Sequence, residues 1–273
     1  MKIVLTGAAG ALGQQLRAPL AKLATELVST DLVEVEDLAA NESFVKADLG
    51  RLDEVVPLVE GADMVVHFGA IADEAPFDAI LRSNILGAYN VWEASHRAGV
   101  RRIVYASSVH AVGMWRAQDG IGPKAEHRPD TYYGLAKCFA EDLARMFWEK
   151  RGLEAVCIRI FSCTKRPMNV RALGTWLSYA DLAQLVERSV TTRVTGFCTV
   201  NGVSANDRAP MHNVGVEFLG YRPKDNAEDY AAELLEGAPP GDPQDLAQSC
   251  IGGPFATVPL GESGVAHIKA MNK

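Results

Sequence analysis

Short apolar runs alternate with amphipathic segments through the first 160 residues. The runs are Ile3–Leu5, Leu27–Ser29, Phe44–Lys46, Met64–Phe68, Ile103–Tyr105 and Ala155–Ile158. Between them, apolar residues recur at helical spacing over about Leu12–Ala24, Leu52–Glu60, Phe77–Arg97 and Tyr133–Lys150. The short runs read as buried strands and the longer periodic segments as helices. Strand-then-helix repetition implies right-handed crossovers. The predicted fold class is therefore α/β, a doubly wound parallel sheet with helices on both faces. Pro19 falls inside the first helical segment and is predicted to kink or shorten it, because it lacks an N–H.

After Phe161 the rhythm loosens. Ser178–Arg188 reads as a helix, Gly196–Asn201 as a strand and Asn226–Leu235 as a late helix. Gly237–Pro243, with three prolines and two glycines, reads as an exposed connector. Residues 1–160 thus form the sheet core, and residues 161–273 a small C-terminal annex that completes the same domain and shapes its site. No internal repeat or low-complexity tract is present. Trp92, Trp148 and Trp176 read as packing residues.

Charge and cysteine content narrow the function classes. Asp and Glu number 34 against 27 Lys and Arg, for a formal charge of −7 and a pI near 5.4. That balance argues against nucleic acid and against membrane surfaces, both of which favour a basic face. Cys138, Cys157, Cys163, Cys198 and Cys250 are scattered, without a C-x-x-C, which suits reduced thiols in a cytoplasm. The six histidines form no ligand pair, so no metal is expected. No window reaches the ~18 apolar residues of a membrane helix and no signal peptide is evident, so a cytoplasmic protein is expected.

Strand Lys2–Leu5 leads into Thr6-Gly7-Ala8-Ala9-Gly10-Ala11-Leu12-Gly13 and then a helix. Glycines at this spacing permit a tight turn and a close approach to a pyrophosphate. The helix N-terminus behind them offers free N–H groups and a positive dipole end. Asp31 closes the second strand 18 residues after Gly13. A carboxylate there accepts from ribose hydroxyls and repels a 2′-phosphate, and no Arg or Lys follows it directly. The expected cofactor is NAD rather than NADP.

Tyr133 and Lys137 lie four residues apart at the start of a helix, on one face. They follow by 25 residues Ser108, at the end of an apolar strand, where side chains line the crevice of such a sheet. Removing hydride from a carbinol carbon also requires the hydroxyl proton to leave. An unperturbed tyrosine, with a pKa of about 10, is a poor base at neutral pH. Lys137 and the nicotinamide charge are expected to lower that value, while Ser108 holds the substrate oxygen.

Gly7-x-x-Gly10-x-x-Gly13, Asp31, Asp48-Leu49, Asn84, Ser108 and Tyr133-x-x-x-Lys137 together resemble the extended short-chain dehydrogenase/reductase family. The resemblance implies a Rossmann core in which Asp48 and Leu49 contact adenine and Lys137 also holds the nicotinamide ribose. Asn84 either belongs to this cofactor set or satisfies backbone within its own helix. Nearly the whole chain further resembles the uronate dehydrogenase family. That likeness rests on Ala106-Ser-Ser-Val-His110, Tyr133-Gly-Leu-Ala-Lys-Cys-Phe139, Arg159-Ile-Phe-Ser-Cys-Thr164 and Asn169-Val-Arg171. It implies NAD-dependent oxidation of the anomeric carbon of a free hexuronate to an aldarolactone. Arg171 would hold the substrate carboxylate, Ser162 and His110 would contact the sugar, and Ser162 would also border the cofactor. Two positions depart from that pattern. Val109 stands where the family can have asparagine and Ala72 where it can have serine, so only their backbone groups remain for the substrate.

Lys165, Arg166 and Arg171 also cluster in an otherwise acidic chain, and a guanidinium fork matches a carboxylate bidentately. The bland alternative is a solvated basic loop. A nucleotide-sugar epimerase or dehydratase would use the same Tyr–Lys pair but usually has a larger C-terminal region. A non-catalytic NAD-binding regulator would often lack that pair. The two long helices, Phe77–Arg97 and Tyr133–Lys150, are the candidates for pairing in a homo-oligomer.

Overall fold

The structure, a computed structural model, describes residues 1–271. Strands β1 (Lys2–Thr6), β2 (Glu26–Asp31), β3 (Glu42–Lys46), β4 (Met64–His67), β5 (Arg102–Ser108) and β6 (Glu154–Ile160) run in sequence. They are followed by two-residue β7 (Ser162–Cys163) and β8 (Trp176–Leu177), which pair with each other, and by β9 (Phe197–Gly202). The main sheet has seven strands, all parallel, in the order β3-β2-β1-β4-β5-β6-β9. The chain first winds outward from β1 to β3, then returns to β4 on the other side of β1. A crevice opens where the strand order reverses, beyond the strand C-termini.

Residues alternate between two buried faces, as a sheet covered on both sides requires. Ile3, Leu5, Val66, Val104 and Ile158 pack with Leu16 and Leu20 of α1 (Ala11–Leu23). On the other face, Val4, Val65, Ile103 and Cys157 meet the helices that follow β3, β4 and β5. These helices are α2 (Leu52–Leu58), α4 (Gly87–Arg97) and α5 (Tyr132–Arg151), while the short α3 (Phe77–Ile80) places Ile80 against Tyr133 and Ala136 of α5.

Three expectations need adjustment. Helix α1 runs through Pro19 without ending there; Gln15, whose carbonyl loses its usual partner, is exposed to water. The segment Phe77–Arg97 is one helical rod, but residues Leu81–Leu86 form a π turn between α3 and α4. Such a turn holds one extra residue and re-aims the side chains around it. The late helix splits into a 3₁₀ turn, Ala227–Tyr230, and a short α-helix.

The annex contains α6 (Ala172–Thr175), α7 (Tyr179–Thr191), α8 (Ala231–Leu235), α9 (Leu246–Ser249) and α10 (Gly264–Met271). Ser178 caps α7 by accepting from the Asp181 N–H at 3.0 Å. Leu182 and Leu185 of α7 join the α1 face of the core, and β9 extends the sheet beside β6. Residues 179–202 therefore complete the sheet layers. The remainder covers the strand C-termini, where Val109, Val112, Phe161, Val203, Met211 and Ile251 form a satellite core. Gly237–Pro243 is largely exposed, Trp92 and Trp176 are buried, and Trp148 is half-buried. Among the described residues, no helix is long and apolar enough to cross a membrane.

The last segment returns to the β4 side of the crevice. Asp73 Oδ1 accepts from the Gly264 N–H at 2.9 Å, and its Oδ2 from the Ser263 hydroxyl at 2.6 Å. One carboxylate thus satisfies the start of α10 from a distant loop.

Candidate active site

A cleft of about 910 Å³ runs along the strand C-termini. Gly7, Gly10, Ala11, Leu12, Gly13, Asp31, Asp48 and Leu49 line one part of it. Ala72, Ser108, Val109, His110, Tyr133 and Lys137 line the other.

The glycine loop fits a close-lying pyrophosphate. Gly7 has φ +74°, and a Cβ there would lie 2.6 Å from the Gly69 backbone nitrogen. A Cβ on Gly13 would lie 2.0 Å from the Gly7 carbonyl oxygen, so only glycine lets α1 approach the turn. Asp31 accepts from the Ala9 N–H at 3.0 Å through Oδ2 and from the Leu32 N–H at 2.7 Å through Oδ1. It ties the end of β2 to the glycine loop and places a carboxylate on the cleft wall. The next cleft-lining residues, Leu32 and Val33, are exposed and apolar and offer no cation to a 2′-phosphate. Asp48 accepts from the Gly50 N–H and from Arg82, which hold its carboxyl below the usual range. Asn90 fixes the neighbouring Leu49 carbonyl at 2.8 Å.

Asn84 lies in the π turn and is buried. Its amide donates to the Ile71 carbonyl and accepts from the Ile71 N–H, both at 2.9 Å. Both of its polar atoms therefore brace the loop after β4, and it does not line the cleft. The backbone it satisfies belongs to that loop, not to its own helix.

Thr131 caps α5 by accepting from the Gly134 N–H at 2.9 Å, which sets the first turn that presents Tyr133. Glu74, only 1% exposed, accepts from the Tyr133 N–H at 2.8 Å and from the Gly261 N–H at 2.8 Å. Lys137 is one helical turn further on and donates to the Ala106 carbonyl at 2.7 Å. Its Nζ lies 5.3 Å from the centre of the Tyr133 ring and 4.8 Å from that of Tyr105. Burial pushes the Tyr133 phenol up to about 12, against a hydrogen bond from Ser108. The expected lowering is thus outweighed in the protein alone by desolvation. Burial likewise lowers Lys137 to about 7, against the attraction of Glu141. Glu141 is itself buried, but hydrogen bonds from His127 and Arg159 hold it at about 2.

At the substrate end, the Val109 side chain packs into the satellite core. His110 Nδ1 lies 2.8 Å from Asp130 Oδ2, and its ring stacks on Phe255 at 4.2 Å between centroids. Ser162 stands between cleft-lining Phe161 and Cys163, but its hydroxyl turns to Thr175 at 3.0 Å and Arg171 at 3.1 Å. Arg171 also donates to the Ile251 carbonyl. Burial lowers its pKa to about 10, so it stays cationic at neutral pH, with Asp130 opposing the fall. No carboxylate among the described residues lies within ion-pair distance of it. Arg166, by contrast, pairs with Glu233 on the surface, as a solvated basic loop would. Among the described residues, no group of three or more His, Cys, Asp or Glu is placed to hold a metal ion.

Glu74, Asp130 and Phe255 escaped sequence reasoning. Glu74 and Asp130 are loop residues and Phe255 sits in a short 3₁₀ turn, and only Asp130, three residues before Tyr133, carried a positional hint.

Residues 3–164 match the NAD dependent epimerase/dehydratase family. The chain is 42% identical to the uronate dehydrogenase of Agrobacterium fabrum, over 95% of this chain and 98% of that one. It is 41% identical to that of Pseudomonas putida, over 93% and 95%. A crystal structure of uronate dehydrogenase from Agrobacterium tumefaciens, a mutant complexed with NAD, superposes with a TM-score of 0.90 at 42% identity, covering 94% of this chain and 97% of that one. A UDP-galactose 4-epimerase at 19% identity, with a TM-score of 0.69 over 86% of this chain and all of that one, shares the fold alone. With its glycine cradle, Asp31 and Tyr133–Lys137 pair, the chain belongs to the NAD-dependent epimerase/dehydratase family and, within it, groups with the uronate dehydrogenases.

Proposed function

We propose that this chain oxidises the anomeric carbon of a free hexuronate, such as glucuronate or galacturonate, to an aldarolactone. The observation that carries the reading is Arg171, a half-buried guanidinium in an acidic protein, with no carboxylate among the described residues within ion-pair distance, joined through Ser162 to the cleft-lining Phe161–Cys163 segment. A half-buried cation without a direct ion pair is poorly solvated, and an incoming carboxylate would offset that. Ser162 and Ile251 hold two of its nitrogens and so orient the remaining N–H groups.

Bound NAD supplies the hydride acceptor. Gly7, Gly10 and Gly13 with the α1 N-terminus hold its pyrophosphate, Asp31 its adenosine ribose, and Asp48 and Leu49 its adenine. Tyr133 takes the proton of the anomeric hydroxyl, Ser108 fixes the substrate oxygen, and Lys137 steadies the phenolate and the nicotinamide ribose. Loss of one proton from the Tyr133–Lys137 pair covers two microstates, phenol with amine and phenolate with ammonium. Deprotonation near the Lys137 value of about 7 gives mainly phenol with amine, and the base at the phenol oxygen is the minor phenolate–ammonium microstate in equilibrium with it. Catalytic efficiency is expected to rise with pH through about 7 and then level. In Lys137→Met the rising limb moves up towards the Tyr133 value of about 12; a limb that stays in place would remove Lys137 from the pair.

Asp31 supports NAD over NADP by about tenfold or more in kcat/KM, equivalent to ~1.4 kcal/mol. Equal efficiency with the two cofactors would contradict that role. The exposed apolar side chains Leu81, Leu86 and Tyr89 on the α3–α4 rod, and Leu135, Phe139 and Met146 on α5, support a homo-oligomer. The five free cysteines suit a reducing cytoplasm.

Absorbance of NADH, followed with a panel of uronates, neutral hexoses and nucleotide sugars, tests the function. Net NADH with free uronates is the expected result. An epimerase would return its hydride and accumulate none.

A further inference from the structure

Asp130 has no part in the proton and hydride transfers, yet three segments of the site meet on it. Its side chain is 0% exposed; Oδ2 lies 2.8 Å from His110 Nδ1, and Oδ1 accepts from the Thr131 hydroxyl at 3.0 Å. The carboxylate fits because its neighbours lack side chains. A Cβ on Gly113 would come within 1.9 Å of Oδ2, one on Gly252 within 2.0 Å of it, and one on Gly134 within 3.1 Å of Oδ1. Gly113 follows the His110 turn, Gly134 follows Tyr133, and Gly252 follows Ile251, whose carbonyl holds Arg171.

An ionised carboxylate only accepts hydrogen bonds, so the proton between the two groups sits on His110 Nδ1. A neutral imidazole then has Nε2 as its acceptor. The face of the ring is fixed as well, stacked on Phe255 with 28° between planes. The ring lines the cleft 5.7 Å from that of Tyr133, centroid to centroid. One edge and one face of the imidazole are held, and the free edge belongs to Nε2.

We propose that Asp130 is a positioning residue for sugar recognition. It locks His110 in the Nδ1–H form, so that Nε2 presents an acceptor to a ring hydroxyl of the substrate beside the Tyr133 phenol. The identity of that hydroxyl rests on the uronate reading; the tautomer does not. A site with a fixed acceptor rejects a substrate lacking the hydroxyl, because the nitrogen, covered by the bound sugar, is then left unpaired.

Two measurements on the whole protein decide the matter. Long-range ¹H–¹⁵N spectra of the histidine-labelled protein, without substrate, read the tautomer at about pH 8, well above the usual histidine pKa of ~6.5. His110 is expected to carry its proton on Nδ1 alone, and Asp130→Asn to convert it to a mixture or to the Nε2–H form. A wild-type ring protonated on Nε2, or on both nitrogens, overturns the proposal whatever the enzyme turns over. This spectrum also decides alone if Asp130→Asn fails to fold.

The second measurement is kinetic, with uronate and NAD. Asp130→Asn is expected to lower kcat/KM about tenfold, mainly through KM for the sugar, with NAD affinity unchanged. Combined with His110→Ala it should lower kcat/KM no further than the worse single variant, whereas additive losses overturn the coupling. A wild type that leaves every uronate unoxidised would sink the substrate reading and leave the tautomer test standing.

Discussion

Replacing Tyr133 with phenylalanine is expected to cut kcat by roughly a thousandfold or more, within the range for a positioned acid–base group. The change removes one oxygen and little else. The ring keeps its place against Ile80, Ala136 and Tyr132, and Glu74 still accepts from the backbone N–H of residue 133. Among the described residues the lost hydroxyl has no side-chain partner beyond nearby Ser108, so stability should shift by no more than about 1 kcal/mol. NAD binding, measured by fluorescence quenching, should be nearly unchanged. The glycine loop, Asp31 and Asp48 that support it lie elsewhere along the cleft. Substantial residual turnover would remove Tyr133 from the base role and point to another group, such as Lys137 or His110.

The second large effect concerns the acid group of the substrate. Arg171→Lys should raise KM for uronate about tenfold to a hundredfold, since a planar fork is exchanged for a point charge. A lysine cannot serve Ser162 and Ile251 as the guanidinium does while also meeting a carboxylate through two N–H groups. Burial adds to the loss. Arg171 is lowered only to about 10, whereas the buried ammonium of Lys137 already falls to about 7. A lysine at position 171 would lose its charge at a lower pH than the arginine does, so the KM defect should grow as pH rises. Steady-state kinetics should show the loss with uronates and not with the corresponding neutral sugars. Equal losses for both, or no change, would defeat the carboxylate clamp.

Much of the cofactor half was legible because its parts are close in sequence. Gly7, Gly10 and Gly13 report a turn between one strand and the next helix, and Tyr133 and Lys137 report one helical face. Asp31 could be placed because a strand end in this topology has a single address. Arg171 was ambiguous in sequence, where a clamp and a solvated loop look alike; its partial burial, and the lack of an ion-paired carboxylate among the described residues, set it apart from exposed, Glu233-paired Arg166. Asn84 shows the converse. The π turn at Leu81–Leu86 changes where its side chain points, and hydrophobic periodicity carries no trace of one extra residue in a turn.

The amino-acid order alone determined the layered α/β core, the cofactor loop and the tyrosine–lysine pair, since these depend on period and on contacts a few residues long. Folding decided the substrate end. Glu74 meets Gly261 across 187 positions, and Arg171 meets Ile251 across 80. Such contacts form only when the last segment folds back over the strand ends, and the residues that make them look, one by one, like any other loop.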